Sequence, residues 1–243
     1  MLRTVRRALA ALAAVALAAG TAGCATTGEL NPTAADTSAF IVSRAVFEQA
    51  FPDRNPFYSY DGLIAALRTY PAFTTTGDDA TRRREAAAFL ADVDHETGGL
   101  KYVVEQNTAN YGSYCDTSKP YGCPAGTDAY YGRGPVQLSW NYNYRAAGEA
   151  IGIDLLANPA AVERDPAVAW STGLWFWNTQ VGAATATPHD AMVGGRGFGA
   201  TIRSFNGALE CDGRNAGQVQ NRVQAYQRFT ALLDVPPGDN LSC

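Results

Sequence analysis

The chain has 243 residues, 47% hydrophobic and 17% charged, with 19 Lys and Arg against 23 Asp and Glu. That balance excludes a disordered chain, and a net charge of −4 excludes nucleic acid as an electrostatic partner. Two His are too few for a His-rich metal centre, and five Cys leave at least one without an internal disulfide partner.

In chain order, the first expected element is an export signal. Arg3, Arg6 and Arg7 form a positive head, and residues 8–19 form an apolar run. That run falls short of the ~20 residues needed to span a bilayer. Thr21-Ala22-Gly23-Cys24 follows and resembles a bacterial lipobox, with Thr where Leu is usual. Residues 1–23 are therefore expected to be removed. The new N-terminus is either a lipid-bearing Cys24 or an ordinary cleavage site nearby. Removal takes three Arg and no acid, leaving 16 Lys and Arg against 23 Asp and Glu. Export places the protein outside the cell, secreted or lipid-anchored, and permits disulfides. Four Cys allow three pairings. The expected one is Cys115–Cys123 with Cys211–Cys243, contributing about 2.6 and about 3.7 kcal/mol on the chain-entropy account.

Residues 24–37 are small, polar and proline-containing and read as a tether; residues 38–243 read as one domain. Ser38 is a candidate cap for a helix reaching Phe51, stopped by Pro52. Asp61 is a candidate cap for a second helix through Leu63, Ile64, Leu67 and Tyr70, stopped by Pro71. Asp79 or Thr81 opens a third, with Ala86, Phe89, Leu90 and Val93 on one face. Loops and short strands are expected between Lys101 and Gly134. Asp165-Pro166 combines a capping carboxylate with Pro at the first helical position. The stripe Trp170, Trp175, Phe176 and Trp177 on that helix is expected in the core. Pro188-His189 marks another helix start, and a last helix begins near Gln218. The fold class is α+β, mainly α-helical.

Two carboxylates draw attention. Glu96 closes the third helix within His95-Glu96-Thr97-Gly98-Gly99. Burial and the negative end of the helix should both favour its protonated form, as a general acid requires. Glu105 follows on a separate, extended element. Carboxylates on different elements suit an inverting glycosidase, which holds them ~6.5–9.5 Å apart with a water between. The stretch 137–144 alternates amides and hydroxyls with aromatics, as a neutral sugar groove would. Trp140 is expected to pack rather than to touch sugar, and both His are expected in structural or supporting positions.

Five ordered motifs carry a resemblance: AAAFLADVDHETGGL, VVEQNTANYGSYCD, YYGRGPVQLSWNYNY, TGLWFWNTQ and SFNGALECDG. From about Ser38 to Cys243 the chain resembles the family 19 glycoside hydrolases, the plant-type and actinobacterial chitinases. The resemblance implies a lysozyme-like fold of two lobes with a central substrate cleft. It implies Glu96 as general acid, Glu105 as general base and Ser139 as the hydroxyl that holds the attacking water. Gln137, Tyr142 and Asn143 would line the sugar groove, Asn206 would meet an acetamido group, and His95 would adjoin the acid on another helix face. Glu210 and Arg222 would form a charged pair reaching the catalytic centre. The family's disulfides fall on the pairs already expected. Relatives often carry Lys where this chain has Ser171, which would weaken one end of the groove here. The implied activity is endo-acting, inverting hydrolysis of chitin or chitooligosaccharides by a monomer, with no metal or organic cofactor. The alternatives are a peptidoglycan-cleaving enzyme and a chitin-binding protein without catalysis.

Overall fold

The computed structural model describes residues 40–243. The export signal, the tether, Cys24 and the Ser38 cap lie outside them. Residues 40–43 are not helical, so the first helix starts later than expected. It is α1 (Arg44–Ala50), and Ser43 caps it by accepting from the Val46 amide. In α2 (Tyr60–Ala66) the cap is Ser59, not Asp61. Asp61 lies inside the first turn, where its charge still meets the positive helix end and pairs with Arg44. A short 3₁₀ turn, Leu67–Thr69, ends this segment before Pro71.

The third helix, α3 (Asp79–Thr97), is capped by Asp78, whose Oδ1 accepts from Thr81 N at 2.8 Å. Every residue from Glu85 to Val93 is buried. The helix is therefore enclosed on all sides rather than on the single face expected, because α9 (Ala216–Leu232), α8 (Phe198–Glu210) and α7 (Pro188–Val193) all pack against it. Its run of small side chains, Ala86 to Ala88 and Ala91, lets neighbours approach from several directions. Phe89 projects into an aromatic cluster with Phe73, Trp170 and Trp177.

Further along lie α4 (Asn141–Ile151), the single turn α5 (Ala161–Arg164) and α6 (Pro166–Thr179). Asp165 caps α6 as expected, accepting from Ala167 N and Val168 N. Trp170, Trp175 and Trp177 are buried, while Phe176 is only half-buried. Ser171 is also buried, so its side chain does not lie on an exposed wall. The last helix starts two residues before Gln218 and is capped by Asn215.

The expected β region is smaller than anticipated. Among the described residues it consists of isolated antiparallel bridges, Val104 with Arg133 and Arg133 with Leu138. Gly132, Gly134 and Pro135 interrupt the pattern before any strand can extend. Three short chain segments nevertheless lie side by side here. Glu105 N donates to Gly132 O, Gly134 N to Val103 O, and Arg133 and Leu138 exchange both backbone bonds. Both expected disulfides are present, Cys115–Cys123 and Cys211–Cys243. The first closes a loop that the buried Asn141 also holds, accepting from Asp116 N and donating to the carbonyls of Asp116 and Gly122.

Candidate active site

Glu96 sits in the last turn of α3. Gly98 (φ 62°) and Gly99 (φ 83°) then adopt left-handed backbone, and Gly99 N closes the helix onto Asp94 O. This sharp exit lets the chain turn into the segment that carries Glu105. The Glu96 side chain is 22% exposed, so it touches both solvent and the buried guanidinium of Arg222. Arg222, on α9, is 1% exposed and spreads its donors over three acids. Nε and Nη2 grip Glu210 at 2.8 and 2.9 Å, Nη1 reaches Asp92 Oδ1 at 3.1 Å, and Nη2 also reaches Glu96 Oε1.

Burial opposes the charge on Arg222, yet the surrounding carboxylates outweigh it and hold the guanidinium protonated well beyond its usual range. Burial likewise opposes the charge on Glu210, but its bonds to Arg222 and Asn206 keep it below the ordinary carboxylate range. Asp92 differs. Burial pushes it up to about 7 against the pull of Arg222 and Thr201. His95 is held below its ordinary value, first by burial and then by the positive charge of Arg222.

Glu105 has neutral partners. Asn110 Nδ2 and Tyr114 Oη both donate to its Oε1, at 2.9 and 3.0 Å. Tyr111 Oη donates to the Glu105 carbonyl at 3.0 Å, and the Tyr111 ring stacks on Tyr131 at 3.6 Å. All three donors stand on one 3₁₀ segment, Thr108–Tyr114, which leads into Cys115. Burial and the carboxylate bond push Tyr114 up to about 12, so it remains a proton donor. The two carboxylates thus stand in opposite settings, one on a cation and one among neutral hydrogen-bond donors.

A cavity of about 330 Å³ opens beside Glu96, with Gln137, Ser139, Asn143 and Asn206 on its wall. Phe176 also lines it, contrary to its expected place in the core, because α6 turns this one aromatic of the stripe away from the Trp cluster. Trp140 lines it as well, against the expectation of pure packing. Tyr142 stands next to this wall, its ring stacked on Trp140. Gln137 (φ 48°) and Trp140 (φ 75°) both hold strained left-handed backbone, which aims the turn into the cavity. Asn206 breaks the helical geometry of α8 and donates Nδ2 to Glu210 Oε1 at 2.8 Å, leaving its carbonyl oxygen free. His95 borders a second cavity together with Glu96, Asn206 and Leu209. Glu210 and Arg222 border the same cavity but are almost wholly buried, and they hold Glu96 and Asn206.

Sequence reasoning missed Asp92, Asn110, Tyr111 and Tyr114. All four lie inside the ordered motifs, but the roles of the last three depend on a 3₁₀ turn that no periodicity announces, and that of Asp92 on partners far away in sequence.

Residues 40–243 match the family described as Chitinase class I, so the chain belongs to the family 19 glycoside hydrolases. A bacterial family 19 chitinase of known structure is 70% identical, with a TM-score of 0.83 over 84% of this chain and 100% of that one. Chitinase C from Streptomyces griseus HUT6037 is 63% identical, with a TM-score of 0.84 over 84% of this chain and 81% of that one. Chitinase 6 of Oryza sativa subsp. japonica is 48% identical over 188 residues, 77% of this chain and 66% of the rice protein. The chain therefore spans about two thirds of that plant relative. The mostly helical, lysozyme-like fold agrees with these neighbours.

Proposed function

We propose that this protein is an endo-acting, inverting chitinase. Glu96 protonates the glycosidic oxygen. Glu105, steered by Asn110 and Tyr114, takes a proton from a water that Ser139 helps to hold. That water attacks the anomeric carbon from the opposite face and yields the α-anomer. The carrying observation is the polar wall of Gln137, Ser139, Asn143 and Asn206 around Glu96, which suits the amides and hydroxyls of N-acetylglucosamine. The substrate is neutral, so the wall needs no charge of its own. The basic head and apolar run of residues 3–19 support export. Fatty-acid labelling that disappears in Cys24→Ala would support anchoring at Cys24; no label in the wild type would exclude it.

Glu96→Gln should lower hydrolysis of chitin hexamer by roughly 10²- to 10⁴-fold while leaving its binding nearly intact. Unchanged turnover would sink the assignment of the acid. NMR of the first products should show the α-anomer, and a β-anomer would contradict inversion. Cleavage of purified bacterial cell wall with no cleavage of chitin would redirect the substrate to peptidoglycan.

A further inference from the structure

The cluster beneath Glu96 has an unbalanced charge count. Asp92, Glu96 and Glu210 share the single guanidinium of Arg222. With Asp92 and Glu210 both ionised, the buried part of the site would carry a net charge of −1 (two acids against one cation), since Asp92, Glu210 and Arg222 are each at most 3% exposed while Glu96 reaches solvent. Buried charge of one sign is costly unless a proton neutralises it.

The hydrogen-bond geometry favours Asp92 as its carrier. The Thr201 hydroxyl lies 2.9 Å from Asp92 Oδ2 and 2.9 Å from the Phe198 carbonyl. It owns one hydrogen, and a carbonyl can only accept. Both contacts are full hydrogen bonds when Asp92 Oδ2 carries a hydrogen and donates it to Thr201 Oγ1, which in turn donates to Phe198. Asp92 Oδ1 still accepts from Arg222 Nη1. Every polar atom of the buried acid is then satisfied in its neutral form.

Other charges nearby are already engaged. From α9, Arg228 pairs with Asp94. From α7, His189 pairs with Glu85, two turns earlier on α3, and Asp190 is exposed. From α8, the neutral Thr201 hydrogen-bonds Asp92, Glu210 reaches it through Arg222, and Arg203 pairs with Asp212. On α3 itself, Glu96 and His95 follow.

We propose that Asp92 is a positioning residue that stays protonated while the enzyme works, keeping the charge of Arg222 free for the carboxylate that Glu96 becomes. The proposal rests on Glu96 as general acid. When Glu96 gives its proton to the leaving oxygen, a new negative charge appears on the site's wall. Arg222 can stabilise it because Asp92 makes no claim of its own. Ionised, Asp92 would compete for the same cation and repel the new charge, and protonation of the leaving group would slow.

Asp92→Asn reproduces the neutral acid, with an amide oxygen for Arg222 and an N–H for Thr201. In the full chain, its kcat on chitin hexamer should match wild type within about twofold near pH 5.5. The ratio of variant to wild-type kcat should then rise about fivefold by about pH 8.5, since only the wild type acquires the competing charge. A ratio that stays flat across this range overturns the positioning role. Carboxyl-carbon NMR of aspartate-labelled wild type decides the proton separately and needs no folded variant. One buried Asp should remain protonated near pH 5.5 and titrate near neutrality, whereas a fully ionised set at pH 5.5 overturns the proposal. Retained hydrolysis in Glu96→Gln would instead remove the acid assignment and leave the NMR result unchanged.

Discussion

Glu105 Oε1 receives two hydrogen bonds from side chains that belong to one short turn. Losing one of them should leave the carboxylate able to rotate away from the water it activates. Tyr114→Phe removes the hydroxyl and keeps the ring against Trp140. A bond to a charged group contributes about 1.5 kcal/mol, so kcat should fall roughly tenfold with KM almost unchanged. Equal kcat for the variant and the wild type would show that Asn110 and the Gly132 N–H orient the base without Tyr114. Much of the site was legible at this scale. Glu96, Glu105, Ser139, Gln137, Asn143 and Asn206 all lie within motifs whose order identifies the family. The partners that set their behaviour were less legible. Arg222 meets Glu96 across 126 positions of sequence, an encounter that only the family resemblance implied, and Thr201 meets Asp92 across 109, which no local pattern encodes.

α3 shows why helix positions were easier to read than helix surroundings. Its cap residues and the terminal glycines are local signals: the C-terminal end falls where expected, while the cap is Asp78 rather than Asp79 or Thr81. Its burial is a tertiary property, set by three helices that arrive later in the chain. The acids on α3 make this visible. Glu85 is wholly buried, accepts from Thr74 N and Trp177 Nε1, and meets His189 Nδ1 at 2.6 Å. It thereby ties α3 to α6, α7 and the loop before α3. The bond to Glu85 raises the proton affinity of His189, although burial works against it. A raised value means the folded state keeps the proton longer than the unfolded chain does. The stabilisation is therefore complete below about pH 6.5 and fades as pH rises through the higher folded-state value. Melting curves of wild type and His189→Gln should differ by a few degrees near pH 6 and converge towards pH 9. A constant difference across that range would mean the imidazole is never charged in the fold.

At the scale of the whole molecule, Cys211–Cys243 joins the end of α8 to the last residue and closes over the loop that contains α9. The tail packs tightly there. Gly199 N donates to Asn240 O, and a Cβ on Gly199 would come within 2.0 Å of Ser242 O. Replacing both cysteines by Ser should lower unfolding stability by about 3–4 kcal/mol in denaturant titrations, with an additional loss of activity as α9 and Arg222 loosen. Full stability in the double variant would mean that tail packing alone holds the segment. The same bridge also determines how the protein carries mechanical load. A pull on residue 243, as through a surface on which the protein is mounted, passes through sulfur directly into Cys211. Residues 212–242 are then bypassed, so tension at that end cannot peel α9 away and strip Arg222 from Glu96 while the bridge is intact.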